Sequence, residues 1–277
     1  MNLVFKCCVL FSAILAGVSA QAVEPMALYD DFNAKSIDAD KWLGQQSGQS
    51  GQLLDVAREI HGNRLRLAAR TLGNMSSSGG VSGRLRLAFP NPDAVTAIEA
   101  TLEVRKVEAT SCPSTFTRAA VRLSGFFFNT GTSTPALGNG TNDVLASVQI
   151  ERFANSTDPE GVLQVQGSLI RCTNPDCSSG PFLGPVVSLG SMEVGGRARI
   201  RIQWDPDYER FIFQRDDQLE VFASYVGLAS NAFAPGIRAK RIDLAHDVAN
   251  CLSARSTGLM DLHVNNVFVN ASAAPAP

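Results

Sequence analysis

The chain has 277 residues with 24 basic and 26 acidic side chains, which leaves a formal charge of only −2. Its charged fraction of 18% is below the ~25% of an average domain, and no run of Lys or Arg stands in the sequence. Nucleic acid and anionic membrane surfaces are therefore not expected as partners.

In chain order the first feature is an export signal. Lys6 precedes an apolar run from Cys7 to Val18, and Val18-Ser19-Ala20 places small residues at the two subsites read by signal peptidase. The run is shorter than the ~20 apolar residues a membrane span requires, and no second stretch is long and apolar enough. Residues 1–20 are expected to be a cleaved signal peptide, residues 21–270 one domain, and residues 271–277, Ala-Ser-Ala-Ala-Pro-Ala-Pro, a disordered tail. The expected location is secreted or periplasmic, with no membrane span once the signal is cleaved.

Strand signals follow as strict alternation. Ile98, Ala100, Leu102 and Val104 alternate with Glu99, Thr101, Glu103 and Arg105. Val144, Ala146, Val148 and Ile150 alternate with Ser147, Gln149 and Glu151, and Ile200, Ile202 and Trp204 with Arg199, Arg201 and Gln203. Shorter cases are Leu65/Leu67, Leu85/Leu87/Phe89, Val121/Leu123, Phe211/Phe213 and Met260/Leu262/Val264. Turn residues separate these runs, as in Asp205-Pro206-Asp207 and Arg215-Asp216-Asp217, so Trp204 to Ala223 reads as a three-strand meander. Residues 44–51, 73–83 and 129–142 read as long surface loops, and Asp243 to Asn250 could hold at most a short helix. Many alternating strands without intervening helices mean an all-β protein, either two packed antiparallel sheets or a barrel.

Four cysteines remain beyond the signal: Cys112, Cys172, Cys177 and Cys251. An even count in an exported chain favours disulfides, and four cysteines allow three connectivities. Cys172 and Cys177 flank a short turn-rich loop, and Cys112 with Cys251 would then join distant parts. Zinc is disfavoured by the lone C-x-x-x-x-C and the lack of a paired Cys or His motif.

Four pieces in order resemble concanavalin A-like lectin/glucanase domains. They are Tyr29-Asp30-Asp31-Phe32 with Ile37-Asp38 and Lys41-Trp42, Gly62 to Leu67, the hairpin from Arg199 to Phe213, and Gly258 to Val269 with Asn265-Asn266-Val267. The resemblance spans roughly residues 28 to 270 and implies a two-sheet antiparallel β-sandwich, a jelly roll of the LamG-like kind, with N- and C-terminal strands adjacent. Asn265 stands where the family commonly has Asp. Many such jelly rolls hold calcium near the paired termini, so Asp30, Asp31 and Asp261 are the candidate metal ligands. Structural calcium is the one cofactor this suggests.

The glucanase motif Glu-x-Asp-x-Glu is absent. Glu99 and Glu103 share a strand face but lie roughly 13 Å apart along the backbone, beyond the about 5–9.5 Å that glycosidase carboxyls need. The pair reads as a solvated face. His61, His246, His263, Tyr29, Tyr208 and Tyr225 match no lyase motif, although Asp261 and His263 point the same way. Trp42 and Trp204 read as core, and Phe126-Phe127-Phe128 must divide between two faces. The expectation is an exported, non-catalytic jelly roll that binds an extracellular or envelope polysaccharide. Glu151 and Arg201 would stand on one concave sheet, with Tyr208 or Tyr225 as a stacking aromatic at the rim. An atypical hydrolase or lyase, and a structural or adhesive protein-binding module, are the alternatives.

Overall fold

The computed structural model describes residues 24–48, 52–113, 115–228 and 233–275; the expected signal peptide lies outside them. Fifteen strands make up the described chain, running β1 (Met26–Asp30), β2 (Leu43–Ser47), β3 (Leu53–Ile60), β4 (Leu65–Leu72), β5 (Gly80–Ala88), β6 (Ala97–Thr110), β7 (Arg118–Asn129) and β8 (Asp143–Phe153). They continue with β9 (Val162–Arg171), β10 (Val187–Glu193), β11 (Arg197–Asp205), β12 (Arg210–Arg215), β13 (Val221–Ser224), β14 (Lys240–Ala249) and β15 (Thr257–Asn270). Two sheets form. The first has the order β13-β12-β11-β6-β15-β4-β3, with β1 also on β15, and the second β10-β9-β8-β7-β14-β5-β2. Every pairing is antiparallel. The chain is thus a two-sheet jelly-roll sandwich, and β1 on β15 brings the terminal strands together as the resemblance implies.

The alternation decides which side of each strand is core. Ile98, Ala100, Leu102 and Val104 of the first sheet are fully buried, and so are Val144, Ala146, Val148 and Ile150 of the second. The two inner faces interdigitate as aligned sandwiches do. Each such Leu, Ile or Val contributes about 1.5–3 kcal/mol on burial, so truncating Leu262 to Ala would cost about 2–5 kcal/mol. The meander from β11 to β13 forms with consecutive antiparallel pairs. Trp42 is core, with its Nε1 donating to Asp30 Oδ2 at 2.7 Å. Trp204 is half-buried, stacked 5.5 Å from Phe128. A bulge between Phe126 and Phe128 turns both Phe127 and Phe128 inward. Phe126 faces outward and is covered by Leu145 and Cys172 in a small second cluster.

Several expectations give way. Asp243 to Ala249 is strand, not helix: Ile242, Leu244, His246 and Val248 point inward, and Asp243 and Asp247 outward. Residues 44–47 belong to β2 and 80–83 to β5, because backbone pairing with β5 and β14, not apolar alternation, holds their polar and small residues in the sheet. The stretch from Ala271 to Ala273 is a short 3-10 turn, with Ser272 N–H donating to Glu24 at 3.0 Å and Ala273 and Ala274 packed on the core.

Candidate functional site

The outward side of the second sheet carries the chemistry. Its register aligns one polar residue from each of six neighbouring strands: Gln45, Arg86, Asp243, Arg122, Gln149 and Gln166. At ~4.8 Å between strands, this row is about 24 Å long. A second row, Arg241, Ser124, Ser147 and Ser168, flanks it on one side. On the other side lie Arg84, Ala245, Ala120 and Glu151, then Ser82, Asp247, Arg118 and Phe153.

These side chains are tied to one another. Arg122 Nη2 donates to Asp243 Oδ2 at 2.6 Å, and Ser124 Oγ to Asp243 Oδ1 at 3.4 Å. Asp247 receives both Arg84 Nη2 and Arg118 Nη2, each at 2.6 Å. Arg118 Nη1 donates to Gln149 Oε1 at 3.0 Å and reaches Glu151 Oε2 at 3.4 Å. Burial would raise the Asp243 carboxyl, but Arg122 and Arg241 outweigh it and hold the group below the usual range. Burial pulls Asp247 the same way, and Arg84 with Arg118 hold it far below. Glu151 goes the opposite way: burial raises it more than Arg118 and Arg122 lower it. Arg241 is pushed down to about 10 by burial despite Asp243. An open depression of about 520 Å³ adjoins Asp247, lined by Ser78, Ser82, Phe116 and Asn250 among others. Phe116 is 53% exposed and lies 5.3 Å from the Phe153 ring.

Behind this face, His246 is fully buried between the sheets, its Nδ1 3.0 Å from Thr71 Oγ1. Gly83 makes room for that contact, since a Cβ there would lie 2.0 Å from Thr71 Oγ1. Burial, and then Arg84, push the imidazole down to about 4.

The sequence-based site residues do not come together. Glu151 stands on the second sheet, whereas Arg201 is on β11 of the first, its guanidinium 3.9 Å from Glu220. The alternation gave each residue an outward direction but not its sheet. Tyr208 is 55% exposed in the turn before β12, with Arg210 stacked 4.7 Å over its ring. Tyr225 is 2% exposed: it packs against Phe128 and Phe211, and its hydroxyl accepts Trp204 Nε1–H at 2.8 Å. It is a core residue and cannot stack on a ligand.

The proposed metal ligands are also apart. Asp30 is opposite Val267 and accepts from Phe32 N–H at 2.9 Å and from Trp42. Asp31 accepts from Asn33 N–H at 3.1 Å. Asp261 lies six residues from Val267 along β15, about 20 Å, and is ion-paired to Arg66 at 2.9 Å. Three of these carboxylates cannot share one ion. Glu103 is not solvated: it is 6% exposed and accepts from Arg64, Arg105 and Arg197. Both cysteine pairs, Cys112–Cys251 and Cys172–Cys177, are disulfides.

Sequence reasoning missed the arginines. Arg84, Arg86, Arg118, Arg122 and Arg241 converge from β5, β7 and β14, although the chain has no basic run. Their parity was the available signal, because Arg84/Arg86 and Arg118/Arg122 each sit an even number of residues apart on strands.

No protein-family model matches the chain, and no curated protein matches it. Among solved structures it is similar to the catalytic domain of an endo-1,3-beta-glucanase (laminarinase) from Thermotoga petrophila RKU-1. Identity is 15% and the TM-score 0.48, over 90% of this chain and 100% of that one. It is also similar to a putative beta-glucanase from Mycobacterium abscessus, with 12% identity and a TM-score of 0.45, covering 88% and 100%. The carbohydrate recognition domain of Emp46p gives 13% identity and a TM-score of 0.38, covering 86% and 95%. These likenesses concern the fold alone.

Proposed function

We propose that this is an exported, non-catalytic glycan-binding jelly roll whose recognition surface is the outward face of the second sheet. One observation carries the reading: the six-strand row from Gln45 to Gln166. Fixed guanidinium and carboxamide groups supply the donors and acceptors that orient sugar hydroxyls. Rigid strands keep them preorganised, which lowers the ordering cost of binding. Phe116 at the end of the face offers a ring on which a pyranose can stack. Two disulfides suit an oxidising compartment outside the cytoplasm.

A hydrolase reading has one point in its favour: Glu151 and Asp247, joined through Arg118, are pushed in opposite directions, as acid and base partners often are. Against it, Glu151 is only 3% exposed, so its carboxyl has little access to a glycosidic oxygen. Native gels cast with individual polysaccharides test the proposal. A retarded band with no new reducing or unsaturated ends is expected, and Gln149→Ala with Gln166→Ala should abolish the retardation. Turnover lost in Glu151→Gln would make the protein an enzyme, and no retardation by any polysaccharide would sink the reading.

A further inference from the structure

We infer that the glycan bound on this face is an anionic polysaccharide, one bearing carboxylates or sulfate esters along its length. The inference rests on the glycan-binding reading and adds the chemical class of the ligand. Its basis is charge imbalance in a confined place. Arg84, Arg86, Arg118, Arg122 and Arg241 share the face with three carboxylates, Asp243, Asp247 and Glu151. Asp247 is taken by Arg84 and Arg118, and Asp243 by Arg122. Arg86 is left with no ion pair among the described residues, although it is opposite Asp243 in the register. Arg241 approaches Asp243 only to 3.9 Å. The Nε atoms of Arg86 and Arg241 are buried without a hydrogen-bond partner among the described residues. Packing like charges side by side and leaving their donors unmet is costly in the free protein. An anion bound across the outward guanidinium nitrogens offsets the like-charge cost, since a guanidinium fork matches a carboxylate or sulfate edge.

The neighbouring groups favour a polysaccharide over a nucleic acid. Gln149, Gln164 and Gln166 are partly exposed hydroxyl-reading groups. Single-stranded nucleic acid would want several aromatic platforms along the track, whereas the rows through Arg86 and Arg241 hold none.

Four probes separate the outcomes: polygalacturonate, dextran sulfate, neutral dextran and a single-stranded oligonucleotide, each titrated by calorimetry at low and high salt. Binding to one or both acidic polysaccharides is expected, weakening as salt rises, with neutral dextran unbound. Preference between the first two tells carboxylate from sulfate. Arg86→Gln and Arg241→Gln should each weaken binding by about tenfold, as loss of a charge-assisted contact does. Arg86→Lys should retain part of it, and Arg199→Gln on the opposite sheet should change nothing. Arg86→Gln keeps the test valid if Arg241→Gln misfolds, because Arg86 anchors no carboxylate. Equal binding of neutral dextran, indifferent to Arg86→Gln but lost in Gln149→Ala, would overturn the anion while leaving glycan binding intact. Loss of all polysaccharide binding would overturn both, and a preference for the oligonucleotide would overturn the polysaccharide assignment.

Discussion

The two disulfides offer a stability comparison in which most confounding terms cancel. Cys112–Cys251 closes a sequence separation of 139, and Cys172–Cys177 one of 5. Each pair joins one fully buried sulfur, on Cys251 or Cys172, to a half-buried one. Replacing both members of either pair with Ala therefore leaves similar small voids. What differs is the freedom returned to the unfolded chain. In the chain-entropy description a loop of about 140 residues is worth about 5 kcal/mol at 25 °C and one of about six residues about 2 kcal/mol. The Cys112→Ala/Cys251→Ala variant should thus be less stable than Cys172→Ala/Cys177→Ala by about 3 kcal/mol. Urea unfolding followed by intrinsic fluorescence reads the difference. The m-value should rise more in the long-loop variant, whose unfolded state expands further. If the two variants fall within about 1 kcal/mol of each other, loop closure is not what the longer bridge contributes.

Three further outcomes follow from individual side chains. His246 is pushed down to about 4 by burial, so the unfolded chain binds its proton more tightly. Its contribution is complete above about pH 6.5 and is lost as pH falls towards 4, on the order of 3 kcal/mol. Asp243 and Asp247, held low, add their own loss only at more acid pH. Urea midpoints at pH 7, 5 and 4 should therefore flatten in His246→Gln, and an unchanged slope would contradict this. Tyr225→Phe removes the acceptor of Trp204 Nε1–H and should cost about 1–2 kcal/mol with glycan affinity unchanged; the reverse pattern would return Tyr225 to the binding surface. Glu103→Gln leaves three arginines around an uncharged amide. Thermal unfolding should show a loss of about 1–3 kcal/mol, kept below the value for a fully buried pair because the arginines are solvent-screened.

The alternation of Ile98 to Val104 and of Val144 to Ile150 made the strands and their inward sides legible, because one buried face fixes parity over the whole strand. β14 escaped notice for a related reason. Ala245 and His246 blur the contrast between its faces, and Asp243 and Asp247, four apart, imitate a helical spacing. Sheet membership was not legible at all. Glu151 and Arg201 carry the same local signal yet lie on opposite faces, since strand order depends on pairings across more than a hundred residues. The arginine cluster was hidden for the same reason, being assembled from β5, β7 and β14. Tyr225 misled through its position at the flank of the meander, just after β13, where only the packing of Phe128 and Trp204 decides that it turns inward.

The position of β14 and β15 sets an order of events during folding. Each occupies the middle of its sheet, β14 between β7 and β5, and β15 between β6 and β4, and both follow every other described strand in sequence. Until they arrive, the earlier strands hold four separate fragments: β10 to β7 and β5 with β2 on one side, β13 to β6 and β4 with β3 on the other. None of these has its final neighbour. The pairings that join them span long stretches of sequence, which is the arrangement that folds slowly. The unpaired edges of β5, β7, β4 and β6 are then open to wrong partners. Cys251 lies in the connection between β14 and β15, so its bridge to Cys112 can take its native place only after the centre of the second sheet has closed. A nascent chain halted before Lys240 should accordingly expose apolar strand edges and bind holding chaperones, and release should coincide with arrival of β14 and β15.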